Sequence, residues 1–296
     1  MRLGIALGGG GAKGFAHIGV LNALTQAGIN CEVVSGTSIG ALVGAIYAGG
    51  NLGKLEEESL GIKLTDIPRL LSPAWSLEGF FSGKNALERL SDFINVERIE
   101  ELTKPFAAVS VDLRAGAVHT FTEGPVGEAI RASISIPAVF TPVRVGEHVL
   151  VDGGTMEPVP VEAARALGAD LVIAVELFGN QSAGEVPREK QTPSASRLVK
   201  VQSALNYLRS LTQKGTTTGI GERDSNIIEI IERTLALSQH TLTNLRLQLS
   251  PPDFLIQPAV SHIGLLDFHR GVTGIEAGYR AAERVIPELK QRLGIK

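Results

Sequence analysis

Cysteine is nearly absent: the 296-residue chain has one, Cys31, so no internal disulfide can form and a reducing compartment is compatible. Beside a predicted buried strand, it reads as a small hydrophobe. An excess of charge of one sign is lacking as well, and a formal net charge of -3 gives no reason to expect nucleic acid as a partner. Leu3 to Leu7 is broken at once by four glycines and Lys13, too short for a secretory segment. Val33 to Gly50 comes closest to membrane-spanning length, yet its glycines and the polar Ser35, Thr37 and Ser38 suit a packed interior. No two histidines or acids recur at ligand spacing with a third partner, so neither a metal nor a cofactor is expected. These absences leave a soluble, cytoplasmic globular protein, and 44% hydrophobic residues supply material for a large core.

Glycine, in contrast, is abundant, with 34 residues. Leu3 to Leu7 reads as a strand that enters Gly8-Gly9-Gly10-Gly11-Ala12-Lys13-Gly14 and then a helix closed by Gly28. Val33 to Ser35 reads as a second strand, entering Gly36-Thr37-Ser38-Ile39-Gly40 and an Ala-rich helix. Two strands that each deliver a glycine-rich turn into a helix imply parallel pairing through a right-handed crossover. Both turns then lie at the carboxyl edge of one sheet, where α/β proteins bind ligands.

The fold class expected is therefore α/β, a single domain over 1–296 with a mostly parallel sheet between helices. Residues 51–95 read as helices broken by Pro68, Pro73 and the cluster Gly79 to Gly83. Hairpins are expected around Arg114-Ala115-Gly116 and Gly146-Glu147, the second ending in Asp152-Gly153-Gly154. From Gly179 to Asp224 the composition turns polar, and this stretch is expected to be a flexible cap over the site. Inside it, Leu198, Val201, Leu205, Leu208 and Leu211 align on one helical face beside Arg197, Lys200, Arg209 and Lys214. A basic amphipathic helix of this kind predicts peripheral contact with a membrane surface, the alternative being a helix packed on the core with a solvated face.

The pentapeptide around Ser38 has a mechanical meaning: a serine on so tight a turn exposes its hydroxyl, and Gly36 and Gly40 give strand and helix room to cross. An activated serine needs a base and donors for the oxyanion. The base candidate is Asp152, in the only Asp-Gly pair of the chain, although hairpin turn chemistry also explains such pairs. The donor candidates are the backbone N–H groups of the Gly8 to Gly14 run, with that of Ile39, the residue after the serine. A competing reading is a dinucleotide loop, since Gly9, Gly11 and Gly14 match G-x-G-x-x-G with Glu32 near the distance of a ribose-binding acid. Glu32, however, precedes its strand and so falls at the wrong edge. A Walker-type loop fits no better, because Lys13 is followed by Gly14 rather than by Ser or Thr.

Four blocks in this order, Gly8 to Gly14, Gly36 to Gly40, Arg131-Ala132-Ser133-Ile134-Ser135-Ile136-Pro137 and Asp152-Gly153-Gly154, resemble the patatin-like phospholipase family. They run from residue 8 to 160, about half the chain. The tail, Pro252 to Pro258 with Gly264 to Phe268, is similar to bacterial members near the neuropathy-target-esterase branch. The resemblance implies a patatin-like three-layer fold and a serine acyl-ester hydrolase acting on lipids, the alternatives being a nucleotide-binding oxidoreductase through the Gly9 to Gly14 loop and a non-catalytic regulator that keeps the fold. Its site would be a Ser-Asp dyad, Ser38 as nucleophile and Asp152 as general base, with Gly10 and Gly11 the leading donors of an oxyanion hole that also takes in Gly9 and Ile39. One departure is Glu157, where many relatives carry Asn. Among the histidines, His17, His119, His148 and His240 read as packing or surface residues, while His262 and His269 keep a Ser-His triad open. Arg131 is either a contact for a phosphate-bearing substrate or part of a structural salt bridge.

Overall fold

A computed structural model of the chain describes residues 1–66, 73–76, 79–81, 92–179 and 227–295. The cap expected over 179–224, and its helix at 197–211, lie outside these apart from Gly179. Contacts divide the chain into two compact units, Met1–Gln181 with Leu235–Lys296, and Ser182–Thr234. Every described strand belongs to the first unit.

In chain order the described strands are β1 (Leu3–Leu7), β2 (Val33–Thr37), β3 (Pro73–Ser76), β4 (Gly79–Phe81), β5 (Phe106–Asp112), β6 (Ala117–Phe121), β7 (Ala138–Phe140), β8 (Val143–Val145), β9 (His148–Asp152), β10 (Leu171–Val175) and β11 (Phe254–Ile256). The helices are α1 (Phe15–Gln26), α2 (Ile39–Ala48), α3 (Leu52–Gly61), α4 (Val126–Ser133), α5 (Val161–Ala166), α6 (Ile227–Leu249) and α7 (Gly271–Leu293). One sheet runs β11-β10-β1-β2-β5-β9-β8, with β6 added at β5. The five strands from β11 to β5 are parallel, while β6, β8 and β9 pair antiparallel.

The parallel strands β1, β2, β5 and β10 are buried along their whole length because both faces are covered. On one face Ile5, Leu7, Ile173 and Val175 pack with side chains of α1, α2, α4 and α7. On the other, the smaller Ala6, Val172 and Ala174 meet Val161 and Ala164 of α5 and Leu247 of α6. Helices on both faces of the sheet give three layers, the fold class expected. Each fully buried Leu or Ile on the first face contributes about 1.5–3 kcal/mol.

Residues 51–95 depart from the expected broken helices. Helix α3 forms, but β3 and β4 pair as antiparallel strands, and β4 pairs in parallel with β7 to make a second, three-stranded sheet. The Gly79 to Gly83 cluster, read as a helix break, contains a strand that pairs with β3 just before it and with β7 far along the chain, and local pattern gives no sign of the second pairing.

The register at β5 decides where the site forms. Strand β2 pairs with Phe106 to Val109, β9 with Ser110 to Asp112, and β6 spans Ala108 to Asp112. Since β6 overlaps both of the others, it must occupy one edge of β5 and leave the opposite edge to be shared. On that shared edge Thr37 stands opposite Val109 and Asp152 opposite the next residue, Ser110. Two strands running in opposite directions thus end against each other, and the residues at their ends are brought together.

Candidate active site

At the end of β2 the backbone of Ser38 adopts φ 57° and ψ -125°, a left-handed conformation that strains a non-glycine residue by roughly 1–3 kcal/mol. The turn closes only because its glycines lack a side chain. A Cβ at Gly40 would lie 2.1 Å from the Leu7 carbonyl oxygen, and one at Gly36 would lie 2.3 Å from the Gly40 oxygen. Ser38 is buried rather than exposed as the tight turn predicts, and its N–H donates to Ser133 Oγ at 2.8 Å. Ser133 in turn donates to the Val109 carbonyl at 2.6 Å.

Asp152 closes β9 and is also buried. Its N–H donates to the Ser135 carbonyl at 2.9 Å, and its Oδ1 accepts the Gly154 N–H at 2.7 Å. Oδ2 is buried with no hydrogen-bond partner among the described residues. Burial pushes the carboxyl up to about 6, opposed by the Ser38 hydroxyl and the Gly154 N–H. The Ser38 hydroxyl is thus close enough to favour the carboxylate, although no hydrogen bond of normal geometry closes between the two. Gly153 sits where a Cβ would meet the Val109 oxygen at 2.4 Å, and Gln239 of α6 covers Gly154.

The glycine loop departs from expectation at one position. The Gly9 N–H donates to the Pro158 carbonyl at 2.9 Å, so Gly9 is not available as an oxyanion donor. It serves close approach instead, since a Cβ there would lie 3.4 Å from Ser38 Cβ. Gly8 N–H is held by Val175 O and Ala12 N–H by Leu265 O. The N–H groups of Gly10, Gly11 and Ile39 have no partner among the described residues. Ile39 opens α2, where the helix dipole favours negative charge. Gly11 has φ 58° with the Leu265 carbonyl 2.3 Å from where a Cβ would stand, and the Ile39 side chain lies over Gly14. Glycine loop and serine turn are therefore packed directly on each other.

No described histidine hydrogen-bonds Ser38. His17 is fully buried, its Nε2 lies 2.7 Å from the Gly8 carbonyl, and burial pushes it down to about 4, so the neutral ring donates and braces the loop. His148 pairs with Asp112 at 2.7 Å, and His119 stacks near it with ring centroids 5.0 Å apart. His240 is on α6, while His262 and His269 are exposed. Among the described residues no group of three His, Cys, Asp or Glu side chains is arranged to hold a metal ion.

Glu32 is exposed at the amino end of β2, away from the glycine loop. Lys13 is buried within the loop with its ammonium 4.5 Å from the Phe178 ring centroid. Arg131 donates to Ser135 Oγ at 2.5 Å and to both oxygens of Thr141 at 2.9 Å, which ties down the loop that follows α4. Glu157 is buried, and burial together with the Glu162 charge pushes its carboxyl up to about 7 against the pull of Arg246. Arg246 also donates to the Met156 carbonyl at 3.0 Å, so α6 seats on the turn that follows Asp152. Sequence reasoning overlooked Ser133 and Gln239. The first stood inside a noted block, and nothing local marked the second.

The patatin-like phospholipase family model matches residues 5–165. An NTE family protein of Mycobacterium bovis is 32% identical, over 96% of this chain and 91% of the relative. Patatin-like phospholipase domain-containing protein 7 of Rattus norvegicus and protein 6 of Homo sapiens are each 32% identical over 59% of this chain, which spans 13% of those longer proteins. Among solved structures, VipD from Legionella pneumophila aligns with a TM-score of 0.47 and 15% identity, over 97% of this chain and 67% of that one. No described helix is long and apolar enough to cross a membrane.

Proposed function

Because the chain belongs to the patatin-like phospholipase family, a family of lipid hydrolases, we propose that it is a serine esterase of phospholipase A or lysophospholipase type with Ser38 and Asp152 as its dyad. Asp152 Oδ2 takes the hydroxyl proton as Ser38 Oγ attacks the ester carbonyl. The N–H groups of Gly10, Gly11 and Ile39 hold the oxyanion that develops. Collapse of the tetrahedral intermediate expels the alcohol, which leaves with the proton from Asp152. Water, deprotonated by the same carboxylate, then releases the fatty acid and restores Ser38.

The observation that carries this reading is the free Oδ2 of a buried carboxylate beside a strained serine, in a chain whose nearest unpaired loop amides face no other described acceptor. The test is reaction with a fluorophosphonate probe, followed by turnover of lysophospholipid, diacylphospholipid and triacylglycerol in parallel. Labelling confined to Ser38, with release of fatty acid from at least one phospholipid, is the expected result. Labelling of another residue, or none, would sink the assignment.

The same reading includes a single cytoplasmic domain with a cap over 179–224 and peripheral contact with the membrane. Support for these comes from the basic, apolar-striped sequence at 197–211 alone. Replacing Lys200 and Arg209 with Glu should weaken sedimentation with anionic vesicles at low salt while leaving hydrolysis of a soluble ester unchanged. Equal sedimentation of both proteins would remove the membrane contact.

A further inference from the structure

Ser133 occupies an unusual place in the sheet. The β2–β5 ladder is regular up to the turn: Val34 N–H donates to Pro105 O at 3.0 Å, and Gly36 stands opposite Ala108 two residues later. In a parallel ladder the N–H of every second residue meets the carbonyl preceding its opposite number. Ser38 N–H is therefore due to reach Val109 O. In its place the Ser133 hydroxyl is inserted, accepting from Ser38 N at 2.8 Å and donating to Val109 O at 2.6 Å. One direct hydrogen bond is replaced by two in series, which roughly doubles the spacing at that rung.

The inserted hydroxyl has two effects at once. It satisfies a buried N–H that the left-handed turn has swung off the ladder, and it parts β2 from β5 just before Ser110, where Asp152 must fit. The segment that supplies it also holds the base, since Ser135 O accepts the Asp152 N–H at 2.9 Å. Arg131 fixes that segment by donating to Ser135 Oγ and to Thr141. The nucleophile and the base are thus both hung from the end of α4.

We propose that Ser133 is a positioning residue for ester hydrolysis, its hydroxyl acting as a spacer that sets Ser38 relative to Asp152. This rests on the hydrolase reading above. Its role differs from that of Ser35, an equally buried serine of β2 whose hydroxyl donates to Pro160 O at 2.7 Å without touching the turn.

The experiment compares Ser133→Ala, Ser133→Cys, Ser35→Ala and Ser38→Ala for kcat, KM and the rate of fluorophosphonate labelling, with thermal unfolding of each. Misplacement of a reacting group by about 1 Å costs on the order of 100-fold. Ser133→Ala should therefore lower kcat and labelling by about 10- to 100-fold with KM changed less than about threefold. Ser133→Cys keeps the volume with a weaker donor and acceptor, and should fall between. Ser35→Ala should lose similar stability but keep its activity. The inference is overturned if Ser133→Ala, or Ser133→Cys should the first not fold, stays within about threefold of wild type. An equal activity loss in Ser35→Ala would also overturn it, by reducing the effect to general loosening. If Ser38→Ala keeps its activity, the hydrolase reading falls and this inference with it; if Ser38→Ala is inactive and both Ser133 variants are not, this inference alone falls.

Discussion

Asp152→Asn should lose about 10²- to 10⁴-fold in kcat at neutral pH, the range typical of general-base catalysis, while gaining stability. The two effects have one cause. Burial raises the carboxyl to about 6, so the wild-type folded state binds this proton more tightly than the unfolded chain, where the value is near 3.9. Stability therefore falls as pH rises between those two values, and the deficit persists above them. Asn carries no charge to desolvate, and its amide oxygen can still accept from Gly154. At about pH 7.5 the variant should be more stable than wild type by up to about 3 kcal/mol, and below about pH 4 the difference should vanish. Urea unfolding at both pH values checks this. The wild-type kcat/KM should meanwhile rise through a pKa of about 6 as the base ionises. A variant less stable at the higher pH, or a wild-type profile flat across that range, would count against Asp152 as the base.

Ser38→Ala should abolish turnover, a loss of about 10⁴-fold or more, because the variant lacks the hydroxyl on which the proposed acyl-enzyme forms. The fold should be nearly unaffected. Among the described residues the Ser38 hydroxyl makes no hydrogen bond of normal geometry, and alanine at the same φ of 57° carries the same backbone strain. Unfolding within about 1 kcal/mol of wild type is expected. Hydrolysis of a soluble ester within about tenfold of wild type would remove Ser38 from the mechanism.

Features set by short-range pattern could be read in the sequence. Strands β1, β2, β5 and β6, the turn at Ser38 and the hairpin ending at Asp152 follow from apolar runs punctuated by glycine, and each appears where it was expected. Features set by pairing across the chain could not. Gly9 differs from Gly10 only because the Pro158 carbonyl arrives from beyond β9 to take its N–H. Strand β4 also pairs with the distant β7, and the inserted hydroxyl of Ser133 has meaning only once β2 and β5 are already side by side. The departure at Glu157 was visible, but its burial against Arg246 depends on α6.

The shared edge of β5 also bears on how the molecule comes to be active after synthesis. Ser38 and Asp152 reach one another only when β2 and the distant β9 have both docked on that edge, so no hairpin or βαβ unit contains both members of the proposed dyad. Closing so long a loop is slow relative to local helix formation. Collapsed chains with native-like helices should exist before any of them can acylate. Reactivity towards a fluorophosphonate should for this reason be a readout of long-range sheet assembly, and a partly folded chain should be catalytically silent towards the lipids it meets.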